Sequence, residues 1–401
     1  MPRPIYLDNH ATTQVDPRVV AAMEPYWTEQ FGNAGSTSHA WGTAARDAVE
    51  SARETIARAI GADPSELIFT SGATESNNLA LRGLAERHAA SSRRQFISVA
   101  TEHRAVLDPL QRLAGRDFPV TLLPVEPRSA GAHWGRVSLT QLPTQLTADT
   151  LLVSVMLANN ETGVIQPLAQ IASLCRANSD ALLHTDATQA IGKLALDVRQ
   201  LDVDLLSFSA HKLHGPKGIG ALYIRRKSPP IRLQPLIDGG GQEKGLRSGT
   251  LPVPLIVGFA RAIELAQQER SATQQRLDEL RQRLWQQIQS ALPDCSLNGP
   301  AHGLDETGQP LRLVNNLNIQ FPGVEGASLM LHTPELAMSS GSACTSAHPT
   351  PSHVLRALGL DDDAVRSSLR LGLSQFNAME EMDEAASRIA AAVAHLRAFK
   401  S

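Results

Sequence analysis

From residue 66 to residue 224, short apolar runs alternate with longer stretches in which apolar residues recur every three or four positions. The runs at 66–70, 96–99, 120–123, 151–156, 181–184, 204–208 and 220–224 have the length and flanking residues of strands. The stretches opening at Thr74, at Arg104 and over 168–177 have a helical period. This alternation predicts an α/β domain on a mostly parallel sheet, whose ligands bind outside the carboxyl ends of the strands. Ahead of it, a short strand at 4–8 and a polar turn lead to Asp16-Pro17, an N-cap followed by proline at the first helical position. That helix is expected to run to about Phe31, and a second covers about 40–60, stopped by Gly61. Beyond Pro254 the texture changes to a long amphipathic region carrying Leu265, Leu277, Leu280, Leu284 and Ile288. A strand at 311–319, a helix after Val324, a small-residue loop around Cys344, a helix from Ser352, a strand at 367–373 and a closing helix then predict a smaller α+β domain.

Composition narrows the function classes. With 401 residues, 42% hydrophobic and 19% charged, the chain can bury the cores of two or three domains. A formal net charge of -3 provides no basic stripe for nucleic acid, and no Lys/Arg block addresses an anionic membrane. No apolar run is long enough to span a bilayer. The three cysteines, Cys175, Cys295 and Cys344, are far apart and form no C-x-x-C pair, so neither a disulfide framework nor a zinc site is expected. The thirteen histidines show no H-x-x-x-H spacing with acidic support, so no metal ligands are assigned. The amino terminus passes at once into structured-looking sequence, without a signal core or transit segment, and a cytoplasmic setting is expected.

Candidate chemistry gathers at the strand ends. The run ending Ser209-Ala210-His211-Lys212 puts a lysine just past a buried strand, where pyridoxal phosphate enzymes hold their Schiff-base lysine. Strand 66–70 turns through Ser71-Gly72 into a helix whose first residues are Ala73, Thr74 and Glu75; unpaired N–H groups there, beside the Thr74 hydroxyl, form an anion site. Asp186 and Gln189 follow another apolar strand. An aspartate so placed can keep a pyridinium nitrogen protonated, and Gln189 can hydrogen-bond the phenolate oxygen of the ring. Taken singly, each has a plainer reading: an exposed lysine, an N-cap with an acidic first turn, a turn-capping aspartate. Their joint occurrence at successive strand ends is what points to pyridoxal phosphate.

The segments 6–13 (YLDNHATT), 69–75 (FTSGATE), 101–103 (TEH), 159–161 (NNE), 186–189 (DATQ), 209–212 (SAHK), 247–250 (RSGT) and 339–346 (SSGSACTS) occur in one order along nearly the whole chain. In this the chain resembles the cysteine desulfurases, pyridoxal phosphate enzymes of the class V aminotransferase group with the fold type I architecture. The resemblance implies a large cofactor-binding domain over 15–262, and a small domain made of 1–14 with 263–401 that carries the catalytic cysteine loop at about 336–352. It implies that Lys212 holds the cofactor, that Ala73, Thr74, Ser209 and His211 bind its phosphate, and that His103 stacks on its ring. Asp186 would meet the ring nitrogen, with Asn160 and Gln189 near the phenolate oxygen. Thr250 would reach the phosphate in a neighbouring subunit, making the enzyme a homodimer, and Arg370 with Asn33 would hold the α-carboxylate of L-cysteine. Cys344 would take the sulfur as a persulfide. Lys212 would move the Cα proton, and His103 would accept the substrate thiol proton and later act as an acid. Sulfur acceptors would be an iron–sulfur scaffold protein or a tRNA-thiolation protein.

The residues around Cys344 are small and turn-prone, without the apolar neighbours of a core cysteine, whereas Cys175 lies on the apolar face of a helical stretch and Cys295 has no motif. Selenocysteine lyase and ordinary aminotransferase chemistry share the same scaffold, and the serine-rich loop favours the desulfurase. A silent sulfur-trafficking subunit would not need Lys212, His103 and Cys344 together. Lys193 and Lys217 lie near the same strand ends, but neither directly follows a buried strand. His10, His184 and His214 either line the site or serve structure.

Overall fold

A computed structural model describes residues 4–340 and 351–399. In chain order the strands are β1 (Ile5–Tyr6), β2 (Leu67–Thr70), β3 (Gln95–Val99), β4 (Val120–Leu123), β5 (Thr150–Ser154) and β6 (Leu182–Asp186). They continue with β7 (Leu205–Ser209), β8 (Gly220–Ile224), β9 (Ser296–Leu297), β10 (Asn316–Gln320), β11 (Leu336–Ala337) and β12 (Ser368–Gly372). Seven of them form one sheet in the order β2-β8-β7-β6-β5-β3-β4. All its neighbours pair in parallel except β8, which is antiparallel to both β2 and β7. The α/β expectation holds. Chain order reverses between β3 and β5, and a crevice opens at such a point.

Strands β5 and β7 are buried along their whole length, as apolar runs covered by helices on both faces must be. One face packs under the helices Ala40–Ala59 and Val253–Gln268 through Ile56, Phe208, Phe259 and Ile263. The other packs under Ala73–Arg87 and Arg104–Ala114 through Leu79, Leu84, Phe96 and Leu110. A separate core gathers Leu280, Leu284 and Ile288 of the helix Arg270–Ala291 with Leu317, Ile319, Leu369, Leu371 and Ile389 around the antiparallel strands β9, β10 and β12. Leu7 is buried in that same core, so the amino-terminal segment starts there and then crosses to the large sheet. Among the described residues no helix is long and apolar enough to cross a membrane.

Two local expectations change. The helix that starts at Pro17, capped by Asp16 through the Arg18 N–H, stops at Met23, and a separate turn Pro25–Thr28 follows. Pro25 has no N–H to continue the ladder. The strand expected over 311–319 shortens to Asn316–Gln320 because Leu311 and Leu313 pair elsewhere: the Leu311 carbonyl accepts from Ile165 N–H, and Leu313 N–H donates to the Gly163 carbonyl.

A thread of polar side chains crosses the sheet beneath the crevice. Ser98 Oγ donates to the Ser154 carbonyl (2.9 Å), Ser154 Oγ meets His184 Nδ1 (2.8 Å), and His184 Nε2 meets Ser207 Oγ (3.0 Å). His184 is fully buried, and burial lowers its pKa to about 4. Its proton is therefore taken up mainly on unfolding, and stability held above the ordinary histidine pKa is lost as pH falls below it. We expect the stability advantage of wild type over His184→Asn to shrink by about 2 kcal/mol between pH 7 and pH 5 in denaturant titrations. A gap independent of pH would show that His184 is not buried neutral.

Candidate active site

Beyond the carboxyl ends of β5, β6 and β7 lies a cavity of about 560 Å³. Its lining brings together ten of the residues singled out from the sequence: Ala73, Thr74, His103, Asn160, Asp186, Gln189, Ser209, His211, Lys212 and Arg370.

One end is built for an anion. The helix Ala73–Arg87 opens at Gly72, whose φ of 153° suits glycine, and no side chain caps its first N–H groups. The backbone of this turn packs closely on β8: a Cβ at Gly220 would sit 2.7 Å from the Gly72 Cα, so residue 220 has no room for a side chain. Ser209, His211 and Lys217 line the same cavity, so N–H groups, a hydroxyl and a cation are available to a phosphate. Burial and the neighbouring Lys212 charge push the His211 pKa down to about 4, leaving a neutral ring whose Nδ1 meets Thr12 Oγ1 (3.1 Å).

Asp186 ends β6 and is 5% exposed. Asn77 Nδ2 donates to its Oδ2 (2.7 Å) and Thr188 N–H to its Oδ1 (2.9 Å), which fixes the carboxylate while leaving each oxygen a further lone pair. Lys212 closes the turn Ala210–Lys212 after β7, and its Nζ donates to the carbonyls of His10 and Ala11, both at 2.6 Å. His103 caps the helix Arg104–Ala114: its Nδ1 accepts from Ala105 N–H (3.0 Å), so a neutral ring carries its proton on Nε2. Burial lowers its pKa, and the ring enters neutral chemistry as a donor.

The wall opposite comes from the smaller sheet. Arg370 on β12, 1% exposed, pairs with Asp8 Oδ1 (2.7 Å) and donates to the Asn160 carbonyl (2.9 Å), while its Nε has no partner among the described residues. Gln189 is held reciprocally by His10: Gln189 Nε2 donates to the His10 carbonyl (2.9 Å), and Gln189 Oε1 accepts from His10 Nδ1 (3.0 Å). One amide hydrogen of Gln189 remains for a ligand. Burial and the Arg370 charge hold His10 well below the ordinary histidine range.

These residues fit pyridoxal phosphate. The uncapped helix start suits the phosphate, Asp186 suits a protonated ring nitrogen, and Lys212 reaches the same space. Asn77 Oδ1, Asn160 Oδ1 and Arg370 Nε are buried on the cavity wall without a partner among the described residues, the signature of groups that a ligand or ordered water completes.

Two singled-out residues lie elsewhere. Asn33 is exposed and lines a second cavity of about 540 Å³ with Arg46, Arg53 and Glu243, its Oδ1 accepting from Gly35 N–H (2.9 Å), so it does not meet Arg370 within the chain. Thr250 is exposed and outside the main cavity. Cys344 lies outside the described residues. Just after that segment, Ser352 Oγ donates to Glu161 Oε2 (2.5 Å) and His353 Nε2 meets the carbonyl of Glu102 (2.9 Å), next to His103. Sequence reasoning missed Asn77 and Asp8. Asn77 stands three residues after Thr74 on the same helix face, a spacing that could have found it; Asp8 acquires its role only when β12 arrives beside it.

The model of the aminotransferase class-V family matches residues 5–384. The mitochondrial cysteine desulfurase of Drosophila melanogaster is 48% identical over 395 residues, which cover 98% of this chain and 82% of that protein. The cysteine desulfurase IscS of Anaeromyxobacter sp. (strain Fw109-5) is also 48% identical, over 98% of this chain and 93% of that one. The solved structure of a NifS-like protein superposes with a TM-score of 0.87 at 37% identity, covering 98% of this chain and all of the other.

Replacing Asn77 by leucine leaves a buried carboxylate oxygen without its donor. We expect Asn77→Leu to bind pyridoxal phosphate about tenfold more weakly, read by fluorescence as the cofactor is titrated into apoprotein. Unchanged affinity would remove Asn77 from the site.

Proposed function

The chain belongs to the aminotransferase class-V family, and from that premise we propose that it is a pyridoxal-phosphate-dependent cysteine desulfurase that converts L-cysteine to L-alanine and carries the sulfur as a persulfide on Cys344. The observation that carries this reading is the meeting, in one cavity, of Lys212, Asp186 and an uncapped helix start with Arg370 on the facing wall.

Bound pyridoxal phosphate supplies an electron sink for the Cα electrons of the substrate. Ala73, Thr74, Ser209 and His211 hold its phosphate, and Asp186 retains the proton on its ring nitrogen. Arg370 pairs with the substrate carboxylate, a planar acceptor that suits the guanidinium fork. Lys212 would take the Cα proton. His103, with its proton on Nε2, donates to the reacting centre, and it accepts the thiol proton only through the other tautomer. The Cys344 thiolate attacks the substrate sulfur: an S–S bond forms as the Cβ–S bond breaks, the bonding pair stays with Cβ, and alanine is completed by protonation at Cβ and return of the Cα proton from Lys212. The persulfide then passes its outer sulfur to an acceptor thiol, on an iron–sulfur scaffold protein or a tRNA-thiolation protein.

The working form is a homodimer in which the exposed Thr250 serves the cofactor phosphate of a second copy. A thiolate nucleophile needs a reducing setting, for which we propose the cytoplasm.

Lys212→Ala is expected to lose both the visible absorbance of the bound cofactor and alanine release. Cys344→Ala keeps the absorbance and loses persulfide, read by mass spectrometry. A Cys344→Ala protein that desulfurates cysteine at the wild-type rate would remove the nucleophile from this scheme. Arg370→Lys retains a charge without the fork, and its KM for cysteine should rise by about tenfold or more with a smaller effect on kcat. An unchanged KM would place the carboxylate elsewhere.

A further inference from the structure

His10 lines the main cavity, is 1% exposed and has no part in the reaction scheme. Its contacts with Gln189 have a single consistent polarity. The His10 carbonyl can only accept, so the Gln189 amide turns Nε2 toward it (2.9 Å) and Oε1 toward the imidazole (3.0 Å). Oε1 in turn can only accept, so the proton of the neutral ring sits on Nδ1. The second hydrogen of Gln189 Nε2 is then left for a ligand in the cavity.

The ring is more than a packing filler. With the proton on Nδ1, Nε2 is a bare acceptor, buried and without a partner among the described residues. An apolar side chain of similar size would avoid that cost. β12 also makes room for the ring, since a Cβ at Gly372 would come within 2.7 Å of His10 Cδ2. What the imidazole adds is the Nδ1–H donor, and the atom that accepts it belongs to a residue on the cavity wall. The same His10 carbonyl accepts from Lys212 Nζ (2.6 Å), so the amide and the amine are held against one oxygen.

We propose that His10 is a positioning residue that sets the hydrogen-bond polarity of Gln189: by donating from Nδ1 to Oε1 it keeps an N–H of the amide, and not its oxygen, toward the phenolate oxygen of bound pyridoxal phosphate. The inference rests on the reading of this cavity as a pyridoxal phosphate site with Gln189 beside that oxygen. A donor there favours the ionised oxygen. Without the Nδ1–H, Gln189 Oε1 becomes a buried carbonyl that has lost its donor, and the amide gains by swinging toward water in the cavity.

The test follows the visible absorbance of the bound cofactor against pH in the holoprotein, without substrate. Its midpoint reports the proton held between the phenolate oxygen and the nitrogen of Lys212, and a donor to the oxygen lowers it. Lys193, Lys212 and Arg370 with its partner Asp8 are the charges about His10; Glu75, His103, Asp186, His211 and Lys217 stand around the cavity. Every variant keeps all of them, and burial holds His10 itself neutral. Gln189→Leu should raise the midpoint by about one pH unit. His10→Ala should raise it by about half a unit or more, and the double variant should go no further than Gln189→Leu alone. His10→Asn, whose amide nitrogen stands as many bonds from Cβ as Nδ1, should restore the wild-type midpoint. If His10→Ala leaves the midpoint in place, or if its shift adds to that of Gln189→Leu, His10 does not act through Gln189 and the proposal fails. An unmoved midpoint in Gln189→Leu overturns it as well. Should His10→Ala not fold, His10→Gln takes its place under the same criteria, because its amide nitrogen reaches the Nε2 position instead. A wild-type protein that gains no visible absorbance with pyridoxal phosphate would strike the cofactor reading itself, a result distinct from all of these.

Discussion

Two carbonyl oxygens, those of His10 and Ala11, hold the Lys212 amine at 2.6 Å, and the rest of the site is arranged by the backbone segment that supplies them. A buried ammonium needs acceptors, so this segment must lie across the end of β7. It is strung between the two halves of the molecule. Gly372 N–H donates to the Leu7 carbonyl and Asn9 N–H to the Gly372 carbonyl on one side; Thr13 N–H donates to the His211 carbonyl on the other. The same few residues therefore set Asp8 against Arg370 and His10 against Gln189. The groups proposed for cofactor and for substrate carboxylate are registered to each other through one stretch of main chain.

The electrostatics follow from burial. Lys212 and Arg370 line the main cavity together with Asp186, Asp8 pairs with Arg370, and the cavity suits a ligand bearing a phosphate and a carboxylate. The histidines of the region add no further charge: burial lowers the pKa of His10, His103, His184 and His211 alike. A neutral ring with one nitrogen already engaged presents a defined donor or acceptor from the other. At His103, where a backbone N–H occupies Nδ1, the defined group is the Nε2 donor.

Much of this was legible along the chain because it is local. Apolar runs of strand length alternating with helical periods determined the α/β class, and a residue that ends such a run faces the crevice wherever the sheet is parallel; that is why Asp186, Lys212 and the turn before Thr74 could be named. Local chemistry also determined the Asp16-Pro17 helix start. It misjudged the helix beyond Met23, where a missing N–H outweighs periodicity, and the strand before Asn316, where long-range pairing with residues 163–165 outweighs apolar alternation.

What only the tertiary structure decided are relations between distant segments. Asn77 with Asp186, Asp8 with Arg370, His10 with Gln189, and Lys193 with the carbonyl of Lys212 are such contacts, the first three between residues 109, 362 and 179 positions apart. None carries a pattern in sequence, because each is specified by how the sheet order and the crossing of the amino-terminal segment bring elements together. The chain by itself determined which residue types stand at the strand ends. The fold decided which of them touch, and with that which amide orients Asp186, which tautomer His103 adopts and which carbonyls hold the Lys212 amine.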